Sequence, residues 1–249
     1  MLKNKPLPVQ YIVLNNEIKK DSKKYPFNIP FIKNFKKFMF NMPVTFIVGE
    51  NGTGKSTLLE AIAVSYGFNP EGGAKNFNFN TKNTHSELYK YFRIGKSFNS
   101  VNDGYFLRGE SFYNLASNID KLVEEGGGSL YNSYGGKSLH NQSHGESFLS
   151  LMNNRLRGNG LYIFDEPETA LSPMKILNLL IIIDDLVKNN SQFIISTHSP
   201  ILMSYQKAEI HEIKNDRLIL TEYEETSHFE ITKYFMLNYK KMINDLGIE

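Results

Sequence analysis

Residues 46–60 of the sequence read Phe-Ile-Val-Gly-Glu-Asn-Gly-Thr-Gly-Lys-Ser-Thr-Leu-Leu-Glu, and this stretch decides the fold. It contains Gly-x-x-x-x-Gly-Lys-Ser, from Gly49 to Ser56, which is the pattern of a phosphate-binding loop. The apolar run Val44–Val48 before it is typical of a strand, and the residues from Ser56 onward have helical periodicity. A strand, a glycine-rich turn and a helix in this order predict a nucleotide site.

The residue types in this loop explain what it can hold. Backbone N–H groups close around phosphate oxygens, and the helix N-terminus adds partial positive charge. Lys55 is expected to reach the β and γ phosphates, and the Ser56 hydroxyl is expected to ligate Mg²⁺. The other loop residues that we expect to contact the nucleotide are Glu50, Asn51, Gly52, Thr53, Gly54 and Thr57.

The composition is that of an ordinary globular protein, with 249 residues, 41% of them hydrophobic and 22% charged. The longest apolar run, residues 176–183, contains Asn178 and is far too short to span a membrane. The absence of cysteine excludes disulfides and thiolate metal sites, and the N-terminus lacks the apolar core of a secretory signal. We therefore expect a cytosolic protein. A net charge of +2 does not by itself indicate nucleic-acid binding.

The N-terminal part of the chain predicts a strand over residues 9–14, a solvated lysine-rich loop over 15–24 and a further strand before the phosphate loop. Two prolines, Pro26 and Pro30, favour an extended path between these elements. Either Phe27 or Tyr25 is a candidate for stacking on a nucleotide base, although aromatic residues in extended segments more often belong to a core.

The middle and C-terminal parts alternate strands with helices. The predicted strands cover residues 88–94, 105–108, 161–166 and 192–196, and the predicted helices cover 110–123, 147–156 and 173–187, with a flexible loop at 126–137. A hairpin is predicted around Asn215 and Asp216, and Thr226 or Ser227 is expected to cap a last helix that ends near Leu246. Each candidate functional motif lies at the carboxyl end of a predicted strand. The sequence therefore predicts an α/β sheet that binds its ligand at those ends.

Two acidic residues end the predicted strand at 161–166, after four apolar residues. Asp165 is expected to hold Mg²⁺ opposite Ser56, and Glu166 is expected to orient the water that attacks the γ-phosphate. An acidic pair after a strand is often only a solvated turn. Its position downstream of a phosphate loop favours the functional interpretation.

These motifs resemble a known family. Residues 165–172, Asp-Glu-Pro-Glu-Thr-Ala-Leu-Ser, and residues 196–200, Ser-Thr-His-Ser-Pro, are similar to the Walker B motif, D-loop and switch histidine of ABC-type ATPases. The likeness is greatest to compact stand-alone ATPases of the bacterial cytosol, which are related to the ATPase heads of chromosome-maintenance and DNA-repair proteins. It covers most of the chain, including residues 49–57, 104–112 and 143–147.

The resemblance implies the fold and its divisions. It implies an α/β P-loop NTPase domain of ABC-ATPase type over residues 1–249, with a mostly parallel central sheet, an N-terminal antiparallel β portion and a helical sub-lobe. The nucleotide-binding core would comprise residues 1–75 and 157–225, the helical sub-lobe with the signature loop residues 76–156, and the C-terminal helix residues 226–246.

The resemblance also implies further site residues. Ser143, Gly145 and Glu146 stand where the family has its signature loop, which contacts the ATP held by the opposite subunit, and His144 replaces a usual glycine there. Ser143 and Glu146 also have the spacing of a helix capping box, and both interpretations are compatible. His198 would be the switch histidine that reaches the γ-phosphate together with Glu166.

The Q-loop residue of the family is less clear in this sequence. Arg108 and Glu110 both stand near the expected strand end, and we expect Glu110 to be the residue linked to Mg²⁺ or to water. An exposed carboxylate at a helix start is the alternative for Glu110.

The function implied is ATP binding and Mg²⁺-dependent ATP hydrolysis by a homodimer that forms head to tail around ATP. One alternative is the nucleotide-binding subunit of a membrane transporter, which the missing glutamine in the Q-loop disfavours. Another is an ATP-driven DNA-maintenance or defence switch, for which the lysines at 19–24 and at Lys33, Lys36 and Lys37 would contact phosphates. Such charge runs are usually solvated faces, and the chain lacks a heptad stretch for a coiled-coil arm.

Overall fold

The structure, a computed structural model, describes residues 6–15, 23–75, 86–98, 101–109, 123 and 144–248. The strands are β1 (Val9–Leu14), β2 (Lys37–Met39), β3 (Val44–Val48), β4 (Gly73–Ala74), β5 (Phe92–Lys96), β6 (Asp103–Arg108), β7 (Gly160–Asp165), β8 (Gln192–Ser196), β9 (Ala208–Lys214) and β10 (Arg217–Leu220). The helices are α1 (Pro30–Asn34), α2 (Lys55–Tyr66), α3 (His144–Arg155), α4 (Pro173–Lys188), α5 (Pro200–Met203) and α6 (Ser227–Asp245). Short 3₁₀ helices cover Glu87–Tyr91, Pro167–Ala170 and Tyr223–Glu225.

The central sheet has seven strands in the order β10-β9-β3-β8-β7-β6-β4. The strands from β9 to β6 pair in parallel, and β10 and β4 pair antiparallel at the two edges. A second sheet of three antiparallel strands, in the order β2-β1-β5, lies beside it. This confirms the predicted α/β class, with a mostly parallel central sheet and an N-terminal antiparallel portion.

Side chains along the central strands point alternately to the two faces of the sheet, which divides the core into two clusters. In β7, Tyr162 and Phe164 pack in the same cluster as α3 and α4, whereas Leu161 and Ile163 pack with α2 and the small sheet. The same alternation occurs in β8, where Ile194 faces the α2 side and its neighbours face the other. Successive side chains of a strand point to opposite faces, so apolar runs of this kind cover both faces of a buried parallel sheet.

The prediction of a strand over residues 88–94 is wrong in its first half. The chain forms a 3₁₀ helix there, and β5 begins only at Phe92. The Ser86 hydroxyl accepts a hydrogen bond from the Leu88 N–H, which begins the turn, and Leu88 is buried against α2 and its neighbours. A local side-chain cap and one buried leucine therefore override the strand tendency of the aromatic residues.

The predicted hairpin and last helix are confirmed. Asn215 and Asp216 have φ values of 49° and 59° and link β9 to β10, as a tight turn requires. The Thr226 hydroxyl accepts a hydrogen bond from the Phe229 N–H and caps α6. The predicted helix at 110–123 and loop at 126–137 lie outside the described residues apart from residue 123, so the division into core and sub-lobe stays a prediction. Within the described ranges, no helix combines the length and apolar character needed to cross a membrane.

Candidate nucleotide site

The phosphate loop connects β3 to α2 with a backbone that only glycine adopts easily. Gly49, Gly52 and Gly54 all have positive φ values, of 149°, 79° and 103°. Gly54 is the N-cap of α2, and a Cβ atom there would lie 3.1 Å from Cγ2 of Ile29. The glycines in the motif thus serve both the left-handed turn and the close approach of the preceding segment. As in any α-helix, the first N–H groups of α2 have no acceptor within the helix.

Lys55 is folded back onto this loop. Its Nζ donates hydrogen bonds to the carbonyl oxygens of Gly49 at 2.8 Å and Glu50 at 3.0 Å, and the residue is only 4% exposed. Burial lowers the pKa of the Lys55 ammonium, while the carboxylates of Glu166 and Asp165 oppose that shift. The ammonium is therefore held beside the loop and close to the charges of the acidic pair.

The two predicted metal ligands lie close together. The Ser196 hydroxyl donates a hydrogen bond to Oδ1 of Asp165, and the Ser56 hydroxyl lies near the same carboxylate. Burial raises the pKa of Asp165, and both hydroxyls oppose this shift. A buried carboxylate next to a hydroxyl is a suitable donor set for Mg²⁺, which usually takes one or two protein oxygens together with phosphates and waters. Within the described ranges, the structure has no group of three or more acidic, histidine or cysteine side chains that could hold a metal ion by itself.

Glu166 has a left-handed backbone, with φ 51° and ψ 55°. Its N–H lies within hydrogen-bonding distance of the carbonyl oxygen and the hydroxyl of Ser196, at 3.1 and 3.2 Å. Its own carbonyl oxygen accepts hydrogen bonds from the N–H and the hydroxyl of Thr169. These contacts hold an uncommon conformation for a non-glycine residue. The Glu166 side chain extends to His198, with Oε1 3.3 Å from Nε2.

His198 follows β8 and is held on two further sides. Its N–H donates to Oε1 of Glu168 at 2.6 Å, and its Nδ1 lies 2.8 Å from Nε2 of His228 in α6. Burial lowers the pKa of His198, and the positive charge of Lys55 lowers it further, while Glu166 opposes both effects. Burial also raises the pKa of the Glu168 carboxyl.

Sheet order explains why these residues meet. Strand β8 lies between β3 and β7, and Ser196 is level with Ile47 on one side and with Asp165 on the other. The residues that follow these three strands therefore emerge together at the carboxyl edge. This is where an open parallel sheet binds its ligands. The structure thus brings together Lys55, Ser56, Asp165, Glu166 and His198.

The next strand, β6, ends beside the acidic pair. Arg108 is level with Asp165, and its Nη1 donates to Oε2 of Glu60 in α2 at 2.9 Å. At Gly109 an added Cβ would lie 2.6 Å from the Glu166 carbonyl oxygen, so only glycine fits without displacement. Glu110, the predicted Q-loop residue, lies outside the described residues.

The two candidate aromatic residues have different surroundings. Phe27 is half-buried and packs edge-on against Tyr91, with ring centroids 5.3 Å apart, so it belongs to the core beside α2. Tyr25 is 62% exposed, and its hydroxyl lies 3.0 Å from the Thr57 hydroxyl at the start of α2. Tyr25 therefore has the more accessible ring beside the loop, and base stacking stays a prediction for both.

The predicted signature loop is described only in part. Ser143 lies outside the described residues, and His144 is the first residue of α3. Gly145 is buried, and a Cβ there would lie 2.7 Å from Cδ of Lys175 and 3.2 Å from the Ala170 carbonyl oxygen. Glu146 is exposed in the first turn of α3. The start of α3 thus packs beside the 3₁₀ helix at 167–170, which leads into the predicted D-loop.

Comparisons with known proteins agree with an ATPase-type domain. The sequence matches the AAA domain family over residues 27–245, so the chain belongs to that family. This confirms the predicted class, an ATPase-type P-loop domain. A search of the curated proteins found no match.

Several solved structures are similar in outline. The SMC head domain from Thermotoga maritima is 16% identical, with a TM-score of 0.46, 87% of this chain covered and 100% of that chain. CbiO1 from Clostridium perfringens, part of an ABC transporter complex, is 18% identical, with a TM-score of 0.44 and 86% and 91% of the two chains covered. An SMC head bound to the C-terminal winged-helix domain of ScpA is 14% identical, with a TM-score of 0.43 and 74% and 92% covered.

Proposed function

We propose that this protein binds ATP and hydrolyses it with Mg²⁺, and that two copies associate head to tail around ATP. The observation that carries the proposal is the contact between Glu166 and His198 at the sheet edge that also holds Lys55 and Asp165. A carboxylate for the attacking water, an imidazole and an ammonium for the γ-phosphate, and a hydroxyl–carboxylate pair for the metal are the parts that phosphoryl transfer to water requires.

Each residue has a definite role in this reaction. Lys55 exchanges its hydrogen bonds to the loop carbonyls for hydrogen bonds to the β and γ phosphates. Glu166 accepts a hydrogen bond from water in line with the γ-phosphate, and His198 donates to a γ-phosphate oxygen. Mg²⁺ held by Ser56 and Asp165 would neutralise charge on the phosphates. Tyr25 offers its exposed ring to the base, with Phe27 as the other candidate.

The dimer is supported by the position of α3. Gly145 lies beside Ala170 and Lys175, so the start of α3 is a neighbour of the segment that leads into Leu171 and Ser172. In the proposed dimer, these two segments contact the ATP of the other copy. The N–H groups at the start of α3, with Ser143, Gly145 and Glu146, would bind its γ-phosphate.

The experiment is analytical ultracentrifugation of the Glu166→Gln variant with and without Mg²⁺ and ATP. We expect the molecular mass to increase with ATP, because the variant binds ATP without turning it over. Glu224→Gln, an exposed glutamate outside the site, is the matched control for hydrolysis and should turn over ATP at the wild-type rate.

Two further variants identify the surfaces. Lys55→Ala combined with Glu166→Gln should not respond to ATP, and neither should Ser143→Arg combined with Glu166→Gln. An unchanged mass of the Glu166→Gln variant at saturating ATP contradicts the dimer. Absence of ATP turnover by the wild-type protein with Mg²⁺ contradicts the enzymatic proposal.

A further inference from the structure

A second histidine ring lies behind His198. His228 is in the first turn of α6, and its Nε2 is 2.8 Å from Nδ1 of His198, with the ring centroids 4.9 Å apart. At this distance the two nitrogens share one hydrogen, which only one of them can donate. The direction of this hydrogen bond therefore determines which nitrogen of His198 carries its hydrogen.

The opposite side of His198 decides that direction. Nε2 of His198 lies 3.3 Å from Oε1 of Glu166, and the two atoms are not aligned as a hydrogen bond. At this distance a carboxylate attracts a hydrogen on Nε2 and repels a lone pair there. An attractive contact requires a hydrogen on Nε2, and in a neutral imidazole Nδ1 is then an acceptor. Burial and the neighbouring Lys55 lower the pKa of His198, which favours the neutral ring. The nitrogen that donates between the two histidines is thus Nε2 of His228.

We infer that His228 is a positioning residue for His198, and that its Nε2–H holds His198 in the tautomer that carries a hydrogen on Nε2 towards Glu166 and the γ-phosphate. This inference rests on the proposed function only for its consequence in catalysis. The contacts of His198 with His228 on one side and with Glu166 on the other do not depend on a bound nucleotide.

The placement of His228 depends on the cap of α6. Thr226 accepts from the Phe229 N–H, and the Ser227 N–H donates to Oε1 of Glu212 in β9 at 3.3 Å. None of the described residues of α6 is fully buried, so the first turn is fixed by these polar contacts and by the ring contacts of His228 and Phe229. The charged groups that face His198 are Lys55 and Glu166 in the site, with the Glu168 carboxyl at its N–H.

The direct test is ¹⁵N NMR of the full-length protein with ¹⁵N-labelled imidazole rings, near pH 8, where neutral rings predominate. The His198 signals are assigned with a His198→Gln variant. We expect His198 to carry its hydrogen on Nε2 in the wild-type protein, and to show a mixture of the two tautomers in His228→Ala. In His228→Gln, whose amide N–H can replace the donor, the wild-type tautomer should be at least partly restored. A His198 tautomer that is unchanged in His228→Ala overturns the inference.

The second test is a double-mutant cycle on ATP turnover. His228→Ala should lower kcat about three- to tenfold, the effect of one net hydrogen bond, while KM stays the same. In a His198→Ala background the same substitution should have no effect. Equal effects of His228→Ala with and without His198 overturn the positioning role. Glu230→Ala, an exposed residue in the same turn, is the control and should leave kcat unchanged.

The two tests separate this inference from the proposed function. If the wild-type protein does not turn over ATP, the proposed function fails, and the NMR result alone decides whether His228 sets the tautomer. If ATP is turned over and the His198 tautomer does not depend on His228, the inference fails and the proposed function stands.

Discussion

The hydroxyl of Ser196 donates a hydrogen bond to Oδ1 of Asp165, which joins the end of β8 to the end of β7. The hydroxyl of Ser56, in the first turn of α2, lies close enough to the same carboxylate to lower its pKa, so three neighbouring segments meet at one buried charge. Burial raises the pKa of Asp165, which means that the folded protein is less stable when this carboxylate is ionised. The geometry suited to a cation is thus built at a cost to the free energy of unfolding.

Replacing Asp165 by Asn tests this cost. The raised pKa implies that the ionised carboxylate destabilises the fold above the pKa of the unfolded chain, and that this penalty disappears with the charge. We expect Asp165→Asn to raise Tm by about 2–4 °C, the shift that about 1 kcal/mol produces in a chain of this size. The same variant should lose Mg²⁺-dependent ATP turnover. Calorimetry without nucleotide measures the first effect, and a lower Tm would contradict this account of the buried charge.

Lys55 gives the corresponding test for the phosphate loop. Lys55→Ala would remove the proposed charge-assisted hydrogen bonds to phosphate, so ATP affinity should fall by at least about tenfold. It should fall to an undetectable level if the Lys55 ammonium also holds the loop carbonyls in place. Because burial lowers the pKa of Lys55, loss of this charge should not lower Tm by more than a few degrees. Isothermal titration with ATP measures the affinity, with the exposed Lys33→Ala as the control. Retained ATP affinity would remove the assignment of the loop.

Gly109 tests the close approach of β6 to the acidic pair. In Gly109→Ala the new Cβ would lie 2.6 Å from the Glu166 carbonyl oxygen, which is backbone and cannot move alone. We expect a loss of about 1–3 kcal/mol in the free energy of unfolding and a fall in kcat. In Gly145→Ala the closest atoms belong to the flexible Lys175 side chain, so its stability should fall less. Denaturant unfolding of the two variants compares them, and equal losses would contradict the backbone clash.

His211 is expected to cause part of the pH dependence of the free energy of unfolding. It is buried in β9, its ring packs edge-on against Phe38, and burial lowers its pKa, while Glu209 at 3.2 Å opposes the shift. The unfolded chain therefore binds more protons than the folded one below the ordinary histidine pKa, so stability should fall as the pH falls. From about pH 7.5 to about pH 5.5, wild type should lose more stability than His211→Phe. Urea midpoints at both pH values measure this, and equal losses would exclude His211 as the cause.

The sequence predicted the parts of the site that are local. Gly49 to Ser56 carries its own strand, turn and helix signals, and Asp165, Glu166 and His198 each follow a recognisable strand. Parallel strands place the residues after their carboxyl ends at one edge, so the class of fold was enough to predict that these residues meet. The sequence alone indicated no role for Glu168, which lies in the Walker B segment. In the structure its carboxyl accepts a hydrogen bond from the His198 N–H.

The remaining features depend on contacts between distant parts of the chain. His228 has no local signal, because its role depends on where α6 begins relative to the end of β8. The need for glycine at Gly109 follows from the register of β6 against β7, which a single sequence does not specify. The 3₁₀ helix at 87–91 was missed since one serine cap outweighed an aromatic strand pattern.

The left-handed backbone at Glu166 matters for protein engineering. A glutamate in this conformation costs about 1–2 kcal/mol compared with glycine, which adopts it freely. A library selected only for heat resistance would therefore enrich Glu166→Gly and discard the carboxylate that faces His198. Selection schemes for this protein need to fix the codon of Glu166 or to score turnover along with survival.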